Sequence, residues 1–157
     1  MAKRIRIGDL IEIPTNRGFA YGQYTHHTED YGALLRVYPG FHSSPPQDYC
    51  SIATQTEIFV LFFPLQAAVN RNIVRVIGNC AMSAQAKEFP TFKSGTADPK
   101  TGKVQNWWLW DGTRSWRVSE LTSEQYKFPV EGIWNDTILI ERLESGWRPS
   151  DEEAYQP

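Results

Sequence analysis

Apolar positions come in short runs separated by turn residues, and no long amphipathic helical stretch stands out. Residues Gly8 to Tyr24 set the pattern. A Gly-Asp turn leads into Leu10, Ile11 and Ile13, Pro14 closes the run, Thr15-Asn16-Arg17-Gly18 turns the chain, and Phe19 to Tyr24 forms a second, aromatic run. Two such runs across a short Gly-containing turn predict a β-hairpin. His26 to Asp30 reads as a polar turn, and Tyr31 to Tyr38 as a third strand ended by Pro39-Gly40. The three make an antiparallel meander able to curl toward a barrel.

Further along, Ile58 to Phe63 predicts a buried strand. Pro64 to Arg71 suits one or two helical turns, with Pro64 at the first position, where its missing N–H costs nothing. Ile73, Val74, Val76 and Ile77 predict another strand, stopped by Gly78-Asn79. Ala81 to Gln105, with Pro90, Gly95, Pro99 and Gly102, reads as a long irregular excursion anchored by Phe89 and Phe92. Asn106 to Trp110 and Arg114 to Val118 flank Asp111-Gly112-Thr113, a strong hairpin signal. A short helix is expected around Leu121 to Glu124, with Ser119 or Ser123 as N-cap. A last strand is expected over Asp136 to Leu143, from its alternation. The fold class is therefore mainly β, an α+β chain with one or two short helices on an antiparallel, partly barrel-like twisted sheet. A single domain over 1–157 is expected, its core about 5–145, with a flexible tail over 146–157.

Composition sharpens this little. Of 157 residues, 41% are hydrophobic, 22% charged and 13% aromatic, which suits a globular β-rich core. The net charge of −2 gives no bulk case for nucleic acid or an anionic membrane as partner. The charge is uneven, though: residues 1–118 hold 13 Lys and Arg against 9 Asp and Glu, whereas 119–157 hold 3 against 9. The last stretch includes Glu141, Glu144, Asp151, Glu152 and Glu153, either a solvated end or an acidic surface for a basic partner. No apolar run is long enough to span a bilayer, and no secretory h-region follows the basic N-terminus. Two isolated cysteines, Cys50 and Cys80, fit no zinc spacing and give no disulfide framework. A soluble, cytoplasmic protein with no membrane partner is expected.

Candidate chemistry is sparse. A metal site from His26, His42 and Glu29 or Asp30, or a nucleophile at Cys50 or Cys80, can be named, but no local pattern supports either. No phosphate loop is present. No cofactor, no metal and no catalytic residue is expected. The tryptophan run carries more: on a strand, Trp107 and Leu109 face one way and Trp108 and Trp110 the other, so one face enters the core and the other is covered or serves as a contact.

Several segments together resemble the immunity protein 26 family of bacterial polymorphic toxin systems. They are Gly8-Asp9 with Ile13-Pro14 and Ala20-Tyr21-Gly22, Val76-Ile77-Gly78-Asn79, Phe89-Pro90-Thr91-Phe92, Arg117-Val118 leading to Leu121, Gly132-Ile133-Trp134, and Ile140-Glu141-Arg142. The chain departs from the pattern at Asn72 to Arg75, where the family carries an aromatic residue. The resemblance implies a mostly β protein that binds a toxin encoded beside it and blocks it, with no catalytic residues. Gly8, Asp9, Pro14, Gly18, Gly22 and Gly78 then read as structural turns. Trp108, Trp110, Asp111, Glu141 and Glu144 are the expected partner-binding residues, the partner being a cognate toxin, expected to be a nuclease. No direct nucleic-acid contact is expected. The alternatives are a small β-barrel module that binds a peptide, sugar or nucleic acid through exposed tryptophans, and a hydrolase built on His26, His42 or Cys80.

Overall fold

A computed structural model describes residues 3–152. They fold into two compact units, one formed by 3–88 with 132–146 and the other by 89–131 with 147–152.

The first unit is built on a five-stranded antiparallel sheet, in the order β4-β3-β2-β1-β5. β1 (Asp9–Thr15) and β2 (Gly18–Thr28) form the expected hairpin, and β3 (Gly32–Val37) completes the meander. The sheet stays open, with β4 (Phe59–Phe63) at one edge and β5 (Arg75–Asn79) at the other. Pro14 does not end its strand as expected. It pairs with Phe19, and β5 reaches only to Glu12, so no neighbour asks for the N–H that proline lacks. β2 also runs through His26, His27 and Thr28, and the turn falls later, at Glu29 to Tyr31. Gly78 and Asn79 are the last two residues of β5, so the strand ends at this pair while including it.

Alternation sorts the side chains of this sheet onto two faces. Leu10, Tyr21 and Tyr38 point to one face, where Ile52 and Ala53 from a 3-10 turn (Tyr49–Thr54) and Cys80 pack over them. Ile11, Ile13, Ala20, Leu35, Val37 and Leu61 fill the other, all almost fully buried. Helix α1 (Leu65–Asn70) follows Pro64, which is its N-cap. A four-residue helix, α2 (Ala84–Lys87), is capped by Ser83 inside the stretch read as irregular.

The expected last strand is a helix, α3 (Asp136–Ser145), in contact with β1. Both of its ends are specified locally. The Asn135 side chain accepts from the Ile138 N–H at 2.8 Å, and Gly146 closes the helix in the left-handed region at φ +75°. Leu139 and Leu143, four residues apart and buried, are the core-facing stripe. Alternation over so few residues mimics a strand; the caps decide.

The second unit carries a three-stranded antiparallel sheet, β6 (Phe92–Ala97), β7 (Val104–Trp110) and β8 (Ser115–Val118). Thus much of the supposed excursion is one strand and the start of the next. Trp107, Leu109 and Leu121 form its core with Trp116, Val118, Tyr126 and Phe128 packed around. The expected helix near Leu121 is only a 3-10 turn at Gln125–Lys127, with Glu124 and not Ser119 or Ser123 as its cap. From the expected tail, Pro149 is buried, and its carbonyl accepts from Lys93 Nζ at 3.1 Å. Glu153 and the residues after it lie outside the described ones.

Candidate functional site

Cys50 and Cys80 are joined in a disulfide, with Cα atoms 5.4 Å apart. This corrects the expectation of two separate thiols: residues far apart in sequence meet because the 49–54 turn folds back over the end of β5. It removes both cysteines as free nucleophiles, and with them the compositional argument for a reducing compartment. The same close approach explains Gly78. A Cβ there would stand 2.6 Å from the Tyr49 ring, so only glycine fits.

The remaining turn residues also act on the fold. Gly18 has φ +113°, and a Cβ would lie 2.9 Å from the His42 carbonyl oxygen. Asp9, fully buried, accepts from the Arg6 N–H at 2.8 Å and from Asn79 Nδ2 at 3.0 Å, tying the entry of β1 to the end of β5. Gly8 lies in that entry turn, its N–H donating to the Tyr24 carbonyl at 2.7 Å, and Gly22 pairs with Ile11 and Val37 in mid-sheet.

Buried polar groups in the first unit hold one another in place. Glu12 accepts from the Tyr21 hydroxyl at 2.8 Å and from Arg75 at 2.7 Å. Burial, followed by the neighbouring carboxylate, pushes the Tyr21 phenol far above its ordinary range. Arg36 pairs with Glu57 at 2.7 Å and donates to the Glu88 carbonyl, while its Nε has no partner among the described residues. Each ring nitrogen of His26 has a close neighbour, Thr25 Oγ1 at 3.0 Å and the Lys87 carbonyl at 3.1 Å. Burial lowers its pKa, favouring the neutral ring. His42 lies edge-on to Tyr21 at 5.3 Å. Among the described residues, no three His, Cys, Asp or Glu side chains gather as a metal site.

The expected partner-binding residues divide between the units. Glu141 and Glu144 lie on α3 in the first. Glu144 is committed to the hairpin turn, accepting from the Asn16 N–H at 2.6 Å, whereas Glu141 is exposed. Beside it on the outer side of α3 stands Ile138, 37% exposed, and Ile133 just ahead of the helix is 56% exposed. Arg142 lies over the Trp134 ring at 4.4 Å, one residue after Glu141. A strand reading of this segment conceals Ile138.

In the second unit, β7 alternates as expected. Trp107 and Leu109 enter the core, and Trp108 is 47% exposed. Trp110 packs against Phe89 and Phe92, each at 5.4 Å, and is not a free contact. Asp111 closes the β7–β8 turn, accepting from the Thr113 and Arg114 N–H groups at 2.9 and 3.0 Å, and those bonds hold its pKa below the usual carboxylate range. Trp108 borders a groove of about 560 Å³ lined by Ser94, Thr96, Asp98, Gln105 and Asn106. An irregular reading of 81–105 hides all of these residues but Asn106. The signal is nevertheless present: Asp98-Pro99-Lys100-Thr101-Gly102 is a turn flanked by two β-prone runs.

No family model, no curated protein and no solved structure matches the chain.

Proposed function

We propose that this chain is a non-enzymatic immunity protein, which binds a toxin domain encoded beside it, a nuclease on the present reading, and neutralises it by non-covalent contact. The observation that carries the proposal is the outer side of α3. There Ile138 offers exposed apolar surface with the carboxylate of Glu141 one turn further on. An apolar contact with a carboxylate beside it suits a partner whose substrate groove is basic. The carboxylate steers the encounter, and the isoleucine is buried on contact. The engagement of both His26 ring nitrogens favours a binding role over hydrolysis.

The test is co-expression with the product of the adjacent gene. Growth rescue and a complex that survives purification support the proposal; death of the cells and no co-purification overturn it. The cytoplasm remains the proposed compartment, and Cys50 and Cys80 provide its check. Thiol alkylation in intact cells labels both if the protein resides there. A fully bridged pair would move the encounter with the toxin to an oxidising compartment.

A further inference from the structure

We propose that the groove on the outer face of the β6–β7 hairpin is a binding site for a neutral saccharide, with the Trp108 ring as its stacking platform. This goes beyond the inhibitory reading and involves none of the α3 residues. Trp108 leaves nearly half of a large indole in water while its neighbours on β7 are packed. Such exposure, beside a concave surface of about 560 Å³, is the pattern of a ligand platform. A pyranose presents a C–H face that covers an indole ring and a rim of hydroxyls that needs polar partners.

The groove supplies those partners. The side chains of Ser94, Thr96 and Asn106 make no hydrogen bond to the described residues, and Ser94 pairs directly with Trp108 across the strands. Two hydroxyls and a carboxamide thus stand ready beside the ring, offering both donors and acceptors. Asp98 is already oriented: one oxygen accepts from the Lys100 N–H at 2.8 Å, the other from Gln105 Nε2 at 3.4 Å. Its outward lone pairs remain open to a sugar hydroxyl.

Charge narrows the ligand class. Asp98 is the one ionisable group in the groove's lining; Lys100 follows it in the same turn, and Lys103 lines a separate groove beside Trp107. Arg117, opposite Trp108 on β8, adds a cation outside the lining. Nucleic acid is held chiefly through phosphates, and the lining itself offers them no cation. A neutral polyhydroxylated ring fits the indole, the unpaired polar groups and the charge together.

The experiment follows the Trp108 indole N–H of the full chain by NMR, its peak assigned by its loss in Trp108→Ala. Soluble oligosaccharides of glucose, mannose and N-acetylglucosamine are titrated separately. At least one should give a saturable shift, with Kd of order 1 mM or tighter. Calorimetry with the same sugar should show at least about a tenfold loss in Trp108→Ala and a several-fold loss in Asn106→Ala. Far-ultraviolet dichroism should be unchanged, because both side chains are exposed. Ile138→Asp should bind the sugar as the wild type does, which separates this site from the inhibitory surface. No saturable shift with any sugar, or undiminished binding by Trp108→Ala, overturns the proposal. So does a short deoxyoligonucleotide that saturates the Trp108 shift where the sugars fail.

Discussion

Reducing the Cys50–Cys80 bond should cost the first unit much of its stability. The bond closes a loop of about 30 residues that contains β4 and α1. On the chain-entropy view, the cross-link restricts the unfolded state by about 12 cal/mol/K for a loop of this size, or about 3.6 kcal/mol at 25 °C. It also pins Ile52 and Ala53 over Leu10, Tyr21 and Tyr38, so opening the bond frees a lid on one face of the sheet. The assay is urea unfolding of the oxidised protein, the reduced protein and the Cys50→Ala/Cys80→Ala variant. Trp134 is the only tryptophan of the first unit, so fluorescence in a background with the other five replaced by Phe reports on that unit. With a slope of about 1.5 kcal/mol/M, the midpoint should fall by about 2.4 M on reduction, and the double variant should match the reduced protein. A shift below about 0.5 M would refute the reasoning, because the turn would then be held by its packing and hydrogen bonds alone.

Other perturbations test separate parts of the account. Gly78→Ala drives a methyl group into the Tyr49 ring and should cost about 1–3 kcal/mol in the same assay. Asn135→Ala removes the N-cap of α3 and should cost about 1 kcal/mol, visible as a lower thermal midpoint with helical signal lost first. Lys93 has its pKa lowered to about 8 by burial, the effect of Glu152 opposing this only in part. Its folded value lies below its unfolded value, so burying the charge opposes folding fully below about pH 8. That opposition fades as pH rises toward the unfolded lysine value of about 10.4. Wild type should therefore gain stability relative to Lys93→Met between those limits; a flat difference would show that the amine ionises in the fold as it does in the unfolded chain.

Legibility in the sequence followed how local the determinants were. The β1–β2 hairpin and the β7–β8 turn could be read because glycine and Asp-Gly punctuate alternating runs, and the split of Trp107 and Leu109 from Trp108 follows from strand geometry alone. The disulfide could not be read, since it depends on the chain returning across a loop of some 30 residues. α3 was missed although Asn135 and Gly146 mark its ends, because a window of eight residues cannot separate alternation from a four-residue spacing. That error hid Ile138. The groove beside Trp108 was hidden for a different reason: β6 has small and polar residues, Ser94, Gly95 and Thr96, where a hydrophobic pattern would announce a strand. The surfaces proposed to bind were thus the least visible parts, since burial leaves a periodic trace in sequence and exposure does not.

The central claim, inhibition through the outer side of α3, is tested most directly by calorimetric titration of the purified toxin domain from the adjacent gene with the wild type and with Ile138→Asp. The wild type should bind with Kd in the nanomolar range, and Ile138→Asp should weaken binding about 100-fold or more while its thermal midpoint stays within a few degrees. No binding by the wild type, or equal binding by the two proteins, would contradict it.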